Sequence, residues 1–175
     1  MPEYPEVTRY KAHLFDVKEI SVRLPDGKDK AFDLIDIQNA ITLLPIDGEQ
    51  NVYFVEQFRI ASRSPLLELP AGKIERGEDP AVAAQRELRE EIGLAAQQIK
   101  AIGEFYMSPG YTSEYMYCFL ATGLYPAPLN PDADEFINVR KIPLTEVYQL
   151  IHTGRIKDSK TLAAFALATP YLKNL

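Results

Sequence analysis

Residues 72–94 read Gly-Lys-Ile-Glu-Arg-Gly-Glu-Asp-Pro-Ala-Val-Ala-Ala-Gln-Arg-Glu-Leu-Arg-Glu-Glu-Ile-Gly-Leu. Asp79-Pro80 marks a helix start, because Asp caps free backbone N–H groups and Pro at the first helical position sacrifices no hydrogen bond. The following run is rich in helix formers, and Gly93 supplies a left-handed stop. Ala81, Ala84, Leu88 and Ile92 recur at helical spacing and predict the buried face. Glu87 and Glu91 then lie about 40° apart around the axis, with Glu90 about 60° to the other side of Glu87. Gly72 and Gly77 are expected to bend the chain so that Glu78 folds back towards the helix. Like charges this close repel unless cations neutralise them. Oxygen-only donors suit hard divalent ions such as magnesium or manganese, and suit zinc or copper poorly. A solvated Glu-rich surface helix, with Arg86 and Glu90 as an ordinary i,i+4 pair, is the competing reading of the helix alone.

The full spacing decides between them. Gly, five residues, Glu, seven residues, Arg-Glu-Leu-x-Glu-Glu-x-Gly-Leu resembles the Nudix box at every defined position. The resemblance implies the Nudix fold, an α/β architecture with a mixed β-sheet sandwiched between α-helices and the box as loop-helix-loop. By the same resemblance, Glu87 and Glu91 are the principal metal ligands, with Glu90 and the main-chain carbonyl of Ala71 as further ligands. Two or three Mg2+ or Mn2+ ions are implied per site. Arg86 is expected to orient the glutamates. Glu78 is either a ligand or a structural partner of the helix, the latter being slightly favoured.

The rest of the chain fits one domain, 1–175. A chain of 175 residues can bury one substantial core, and 46% apolar with 25% charged residues is the balance of a globular protein. The net charge of −6 argues against a general nucleic-acid binder while leaving room for an anionic small substrate beside bound cations. Cys118 is the only cysteine, which rules out an internal disulfide, and its apolar surroundings in sequence make it a core residue. No apolar run is long enough to span a membrane, and the start lacks the parts of a signal peptide, so a cytoplasmic location is expected.

Residues 14–24 and 30–38 are expected to form an antiparallel strand hairpin about Pro25-Asp26-Gly27. Further strands are expected at 40–46, 52–57, 66–69, 99–106, 115–121 and 136–141, with a loop at 63–65 and a surface loop at 127–134. Leu144, Val147, Tyr148 and Ile151 form one helical stripe ending at Gly154. Asp158 or Ser159 caps a last helix that should stop near Pro170. His13 and His152 have no catalytic spacing.

Outside the box, the chain resembles the ADP-ribose pyrophosphatase branch of the family. Pro109 stands fifteen residues beyond Leu94, within Ser108-Pro109-Gly110-Tyr111-Thr112-Ser113-Glu114, and the segments Val55-Glu56-Gln57-Phe58-Arg59 and Glu68-Leu69-Pro70-Ala71-Gly72 are also similar. The resemblance implies hydrolysis of the ADP-ribose pyrophosphate to AMP and ribose 5-phosphate. Arg59, Pro109, Gly110 and Glu114 would bind substrate, Arg59 through its planar donor fork. A salt bridge to a neighbouring acid is an equally good reading of Arg59. The general base would come from the acidic loop 131–135, with Glu135 preferred over Asp132 and Asp134. A homodimer with exchanged N-terminal strands (1–38) is implied, and Tyr10, Phe15 and Phe32 are candidates for adenine contacts. Two alternatives stand beside this: a hydrolase of another nucleoside diphosphate sugar, such as GDP-mannose, or of a dinucleotide, and a non-catalytic ADP-ribose-binding regulatory module. The joint presence of Glu87, Glu90 and Glu91 argues against the last.

Overall fold

A computed structural model describes residues 4–130 and 137–172 of the chain. They fall into two compact units, Met1–Asn39 with Tyr106–Tyr115, and Ala40–Phe105 with Met116–Leu175.

In the first unit, β1 (Glu6–Lys11), β2 (Asp16–Arg23) and β3 (Asp29–Asp36) form an antiparallel sheet in that order. The expected hairpin is present, turning at Gly27 with φ of 86°. Strand β1 was not expected. All six of its residues are exposed, so no buried face marks it in the sequence. It is held instead by its ladder to β2 and by cross-strand ion pairs, Arg9–Glu19 at 2.8 Å and Glu6–Lys18 at 2.9 Å. Lys18 also reaches Asp36 on β3 at 2.6 Å, which together with a hydrogen bond from Ser113 holds the Asp36 carboxyl below its usual range.

The second unit contains β4 (Ala40–Pro45), β5 (Asn51–Arg59), β6 (Ser64–Glu68), β7 (Ala71–Lys73), α1 (Pro80–Ile92), β8 (Leu94–Tyr106), β9 (Tyr115–Pro126), β10 (Asn138–Pro143), α2 (Leu144–His152) and α3 (Ser159–Leu172). One sheet has the order β10-β5-β6 and the other β7-β4-β9-β8, in which β4 runs parallel to β9 and antiparallel to β7. Every residue of β4 is buried, as a strand covered on both faces must be. Its alternation distributes side chains to two cores. Leu44, with Cys118 and Leu120 of β9, packs with α2 and α3, whereas Ile41 and Leu43, with Phe119 and Ala121, pack with α1. The mixed sheet between helices predicted from the box is therefore the observed arrangement.

Several boundaries differ from expectation. Strand β8 starts at Leu94, directly after the left-handed Gly93, and β9 continues to Pro126. Arg63 has φ of 51° and closes the turn before β6, which begins at Ser64, so Arg59 is the last residue of β5. Helix α3 continues through Pro170 because Tyr171 and Leu172 still pack on the core. Residues 127–130 are irregular as expected, and they dock on α1 through Arg89 Nε donating to the Ala127 carbonyl at 2.9 Å.

Phe165 of α3 is 3% exposed and its ring stacks on Phe54 of β5 with centroids 6.2 Å apart. Truncation to alanine should cost about 3–5 kcal/mol, seen in urea denaturation as a lower midpoint at unchanged slope.

Candidate functional site

Helix α1 is built as its sequence dictates at both ends. Asp79 accepts a hydrogen bond from Ala81 N–H, Pro80 occupies the first turn, and Gly93 closes the end at φ of 71°. Its buried arc, however, is Ala83, Ala84, Glu87, Leu88, Glu91 and Ile92, whereas Ala81 is exposed. The arc is rotated from the expected face because two of its six members are glutamates. Hydrophobic periodicity could not count them.

Arg86 organises this polar edge. Its Nε and Nη2 bind both oxygens of Glu78 at 2.9 and 3.0 Å. Its Nη1 binds Glu87 Oε1 at 2.6 Å and Glu90 Oε2 at 2.8 Å, and Nη2 also reaches the Lys73 carbonyl at 3.0 Å. The hydrogen bonds that Arg86 donates to Glu78, then those to Glu87 and Glu90, hold the guanidinium firmly protonated, and the bonds to Glu78 keep that carboxyl below its usual range. Glu78 also accepts from Glu75 N–H at 2.9 Å, bracing the turn at Gly77, where φ is 83°.

Gly72 has a different role from the expected bend. It lies within β7 and has no left-handed torsion; a Cβ placed there would stand 2.0 Å from the Glu87 carboxylate. Its lack of a side chain makes room for Glu87. Next to it, Ala71 N–H donates to Glu91 Oε2 at 3.0 Å. The preceding peptide is fixed as firmly. The Pro70 carbonyl accepts from Leu43 N–H at 2.9 Å and Thr42 Oγ1 at 3.2 Å, and Leu69 N–H donates to Thr161 Oγ1 at 2.8 Å. The backbone that carries the Ala71 carbonyl is thus tied to β4, α1 and α3.

These donors fit a hard divalent ion in kind: two buried carboxylates, Glu87 and Glu91, and a third, Glu90, at the helix edge, with one guanidinium shared by Glu78, Glu87 and Glu90. Among the described residues, no three His, Cys, Asp or Glu side chains converge closely enough to enclose an ion, since Arg86 draws Glu87 and Glu90 to itself.

Arg59 forms the ion pair that its alternative reading predicted. Its Nε and Nη2 grip Glu68 at 2.8 and 2.7 Å. Burial would raise the Glu68 carboxyl, but Arg59 and Lys160 together hold it below the usual range. Lys160, which the sequence reading missed, also bonds Glu68 and meets Asp158 at 3.0 Å. A glutamate inside the apolar run Leu66-Leu67-Glu68-Leu69 was the available signal, because a buried carboxylate requires a cation. Arg59 lies within electrostatic reach of Glu91.

Pro109, Gly110 and Glu114 belong to the first unit. Pro109 and Gly110 are exposed central residues of a turn closed by Tyr111 N–H donating to the Ser108 carbonyl at 3.1 Å. Glu114 follows, half-buried, its carbonyl accepting from Met107 N–H at 3.1 Å. The segment is tied to β3, since Ile35 N–H donates to the Tyr111 carbonyl at 2.8 Å and Ile37 N–H to Ser113 Oγ at 2.9 Å. Glu135, Asp132 and Asp134 lie outside the described residues. Cys118 is fully buried, and burial pushes its thiol up to about 12, which removes it from nucleophilic chemistry. His13 and His152 are exposed. No helix among the described residues is long and apolar enough to cross a membrane.

A carboxylate-edged helix packed on a mixed sheet between helical layers is the arrangement that the spacing of the box led one to expect. A family profile described as NUDIX domain matches residues 36–165, and the chain belongs to the Nudix family. It is 34% identical over 180 residues to the ADP-ribose pyrophosphatase of Bacillus subtilis (strain 168), covering 99% of this chain and 95% of that protein. It is also 34% identical over 140 residues to the GDP-mannose pyrophosphatase of Enterobacter sp. (strain 638), covering 74% and 73%. A crystal structure of an ADP compounds hydrolase superposes with a TM-score of 0.88 at 24% identity, covering 98% of this chain and 94% of that one, which shows the fold. The chain is a Nudix pyrophosphohydrolase of the ADP-ribose pyrophosphatase branch. Enzymes of this family generally use divalent metal ions.

Gly72→Ala tests the close approach. The added methyl meets the far end of the Glu87 side chain and no backbone, so the fold should tolerate it by a shift of that carboxylate, with a melting temperature within a few degrees (~1 kcal/mol) of wild type. Displacing Glu87 by about 1 Å should lower kcat by about a hundredfold.

Proposed function

We propose that this enzyme hydrolyses the pyrophosphate of ADP-ribose to AMP and ribose 5-phosphate by attack of water on phosphorus. The observation that carries the reading is the pair Glu87 and Glu91, buried at 8% and 7% exposure against β7 within a cluster that has more carboxylates than cations. Such a cluster is costly to a protein that does not bring a divalent ion to it. Glu87, Glu90, Glu91 and the Ala71 carbonyl would hold two or three Mg2+ or Mn2+ ions. Bound there, the ions would neutralise phosphate oxygens and lower the pKa of a water molecule.

The protein's own groups supply position and proton transfer. Arg86 orients Glu87 and Glu90, and the Ala71 amide orients Glu91. Arg59 donates to the diphosphate, its side chain remaining 44% exposed beyond the Glu68 pair. Glu114 accepts from the terminal ribose, and Pro109 and Gly110 shape the loop that presents it. Glu135 takes the proton from the attacking water. Near-full-length likeness to a protein named ADP-ribose pyrophosphatase supports the substrate. GDP-mannose is the second reading, favoured by likeness to proteins named for its hydrolysis.

The working unit is read as one domain, 1–175, in a cytoplasmic homodimer that exchanges N-terminal strands within 1–38. Its support is the first unit, in which Val7 and Tyr10 of β1, Leu14 of the turn after it and Phe32 of β3 stand at 41–63% exposure and would gain cover from a partner. Tyr10, Phe15 and Phe32 would then be available to stack on adenine.

A panel of ADP-ribose, GDP-mannose, a dinucleotide and a dinucleoside polyphosphate, read as phosphate release after added phosphatase, tests the assignment. ADP-ribose should be turned over best and only with Mg2+ or Mn2+ present; equal or better turnover of GDP-mannose would overturn the substrate. Glu87→Gln and Glu91→Gln should each lose at least about a hundredfold in kcat, and Glu135→Gln about 10²–10⁴-fold.

A further inference from the structure

The C-terminal helix is wired to Arg59 through buried charge. Lys160 is 7% exposed and Glu68 1%, both rare for charged residues and stable only in mutual contact. Lys160 Nζ bonds the same Glu68 oxygen, Oε2, that receives Arg59 Nη2. One carboxylate thus serves two cations. On the far side, Asp158 Oδ1 meets Lys160 at 3.0 Å, while Asp158 Oδ2 accepts from Thr161 Oγ1 at 2.6 Å and Thr161 N–H at 3.0 Å, anchoring Asp158 to the first turn of α3.

Electrostatics gives this chain a direction. Paired with Glu68 alone, a guanidinium is close to neutralised and attracts a further anion weakly. Lys160, itself shared with Asp158, takes part of the Glu68 carboxylate's charge, so the exposed member, Arg59, keeps more attraction for an anionic group than an isolated pair would leave it. The same contact limits the rotamers open to Glu68, and through the two-point grip it limits those of Arg59. Lys160 itself is buried and has no access to a ligand.

We propose that Lys160 is a positioning residue for substrate binding, sharing Glu68 with Arg59 so that the guanidinium stays placed and charged towards the diphosphate. The inference rests on the reading of Arg59 as a diphosphate donor. It makes α3, remote in sequence from the box, a determinant of substrate affinity.

The test compares KM and kcat for ADP-ribose, or for GDP-mannose should the panel select it, in wild type, Arg59→Ala, Lys160→Met and Glu68→Gln/Lys160→Met. Arg59→Ala should raise KM. Lys160→Met should raise KM about tenfold, the size expected from losing a charged partner, with kcat within about threefold of wild type. Removing the Glu68 charge as well should return KM to within about threefold of wild type, because Glu68 then no longer neutralises Arg59. A purely structural Lys160 predicts the opposite, a double variant as impaired as Lys160→Met or worse. An unchanged KM in Lys160→Met beside a raised one in Arg59→Ala would overturn the proposal and leave the Arg59 reading standing. An unchanged KM in Arg59→Ala would overturn both. If Lys160→Met does not fold, Lys160→Gln, which removes the charge but keeps a hydrogen-bond donor for the buried Glu68, takes its place in the same comparison.

Discussion

Placing four glutamates around one short helix and its leading turn is an electrostatic problem, and the Arg86 guanidinium is the local answer to it. Its planar fork satisfies Glu78 with two parallel bonds, and its remaining reach gathers Glu87 and Glu90. A lysine ammonium offers no such fixed fork. Three carboxylates meet this one guanidinium, and Glu91 beside them accepts from the Ala71 amide. The proposed divalent ions would add the positive charge on which the phosphate chemistry is read to depend.

The surrounding fold serves to keep those carboxylates from relaxing outward. Strand β4 sends Ile41 and Leu43 towards α1 and Leu44 towards α2 and α3, so the helix that carries the glutamates is seated on the sheet's own core. The segment 69–71 is pinned peptide by peptide, by Thr161, by Leu43 with Thr42, and by Glu91. Gly72 then leaves space for Glu87. The last helix contributes twice, through Thr161 on the Leu69 amide and through Lys160 on Glu68. Distant parts of the sequence thereby meet within one rigid site.

What could be read from the sequence was what is local in it. The cap at Asp79, the stop at Gly93 and the turn at Gly27 are each decided within a few residues, and all three stand as expected. The spacing of the box named the family for the same reason. The rest needed tertiary information. Lys160 and Glu68 are 92 residues apart, and no local pattern pairs them. Gly72 read as a bend because a glycine's need for space is invisible until the neighbour is known. Strand β1 has no buried face, and α3 passes Pro170 because packing of Tyr171 and Leu172 outweighs a local helix breaker. The buried arc of α1 was misplaced by treating glutamates as solvent-facing.

Glu87 and Glu91 are proposed to bind divalent ions. Electron paramagnetic resonance during a Mn2+ titration measures it directly, since free Mn2+ gives the six-line signal that bound ion loses. The wild-type protein should deplete that signal without substrate present, and Glu87→Gln and Glu91→Gln should leave it close to that of buffer. Depletion by both variants equal to wild type would contradict the assignment of these two carboxylates.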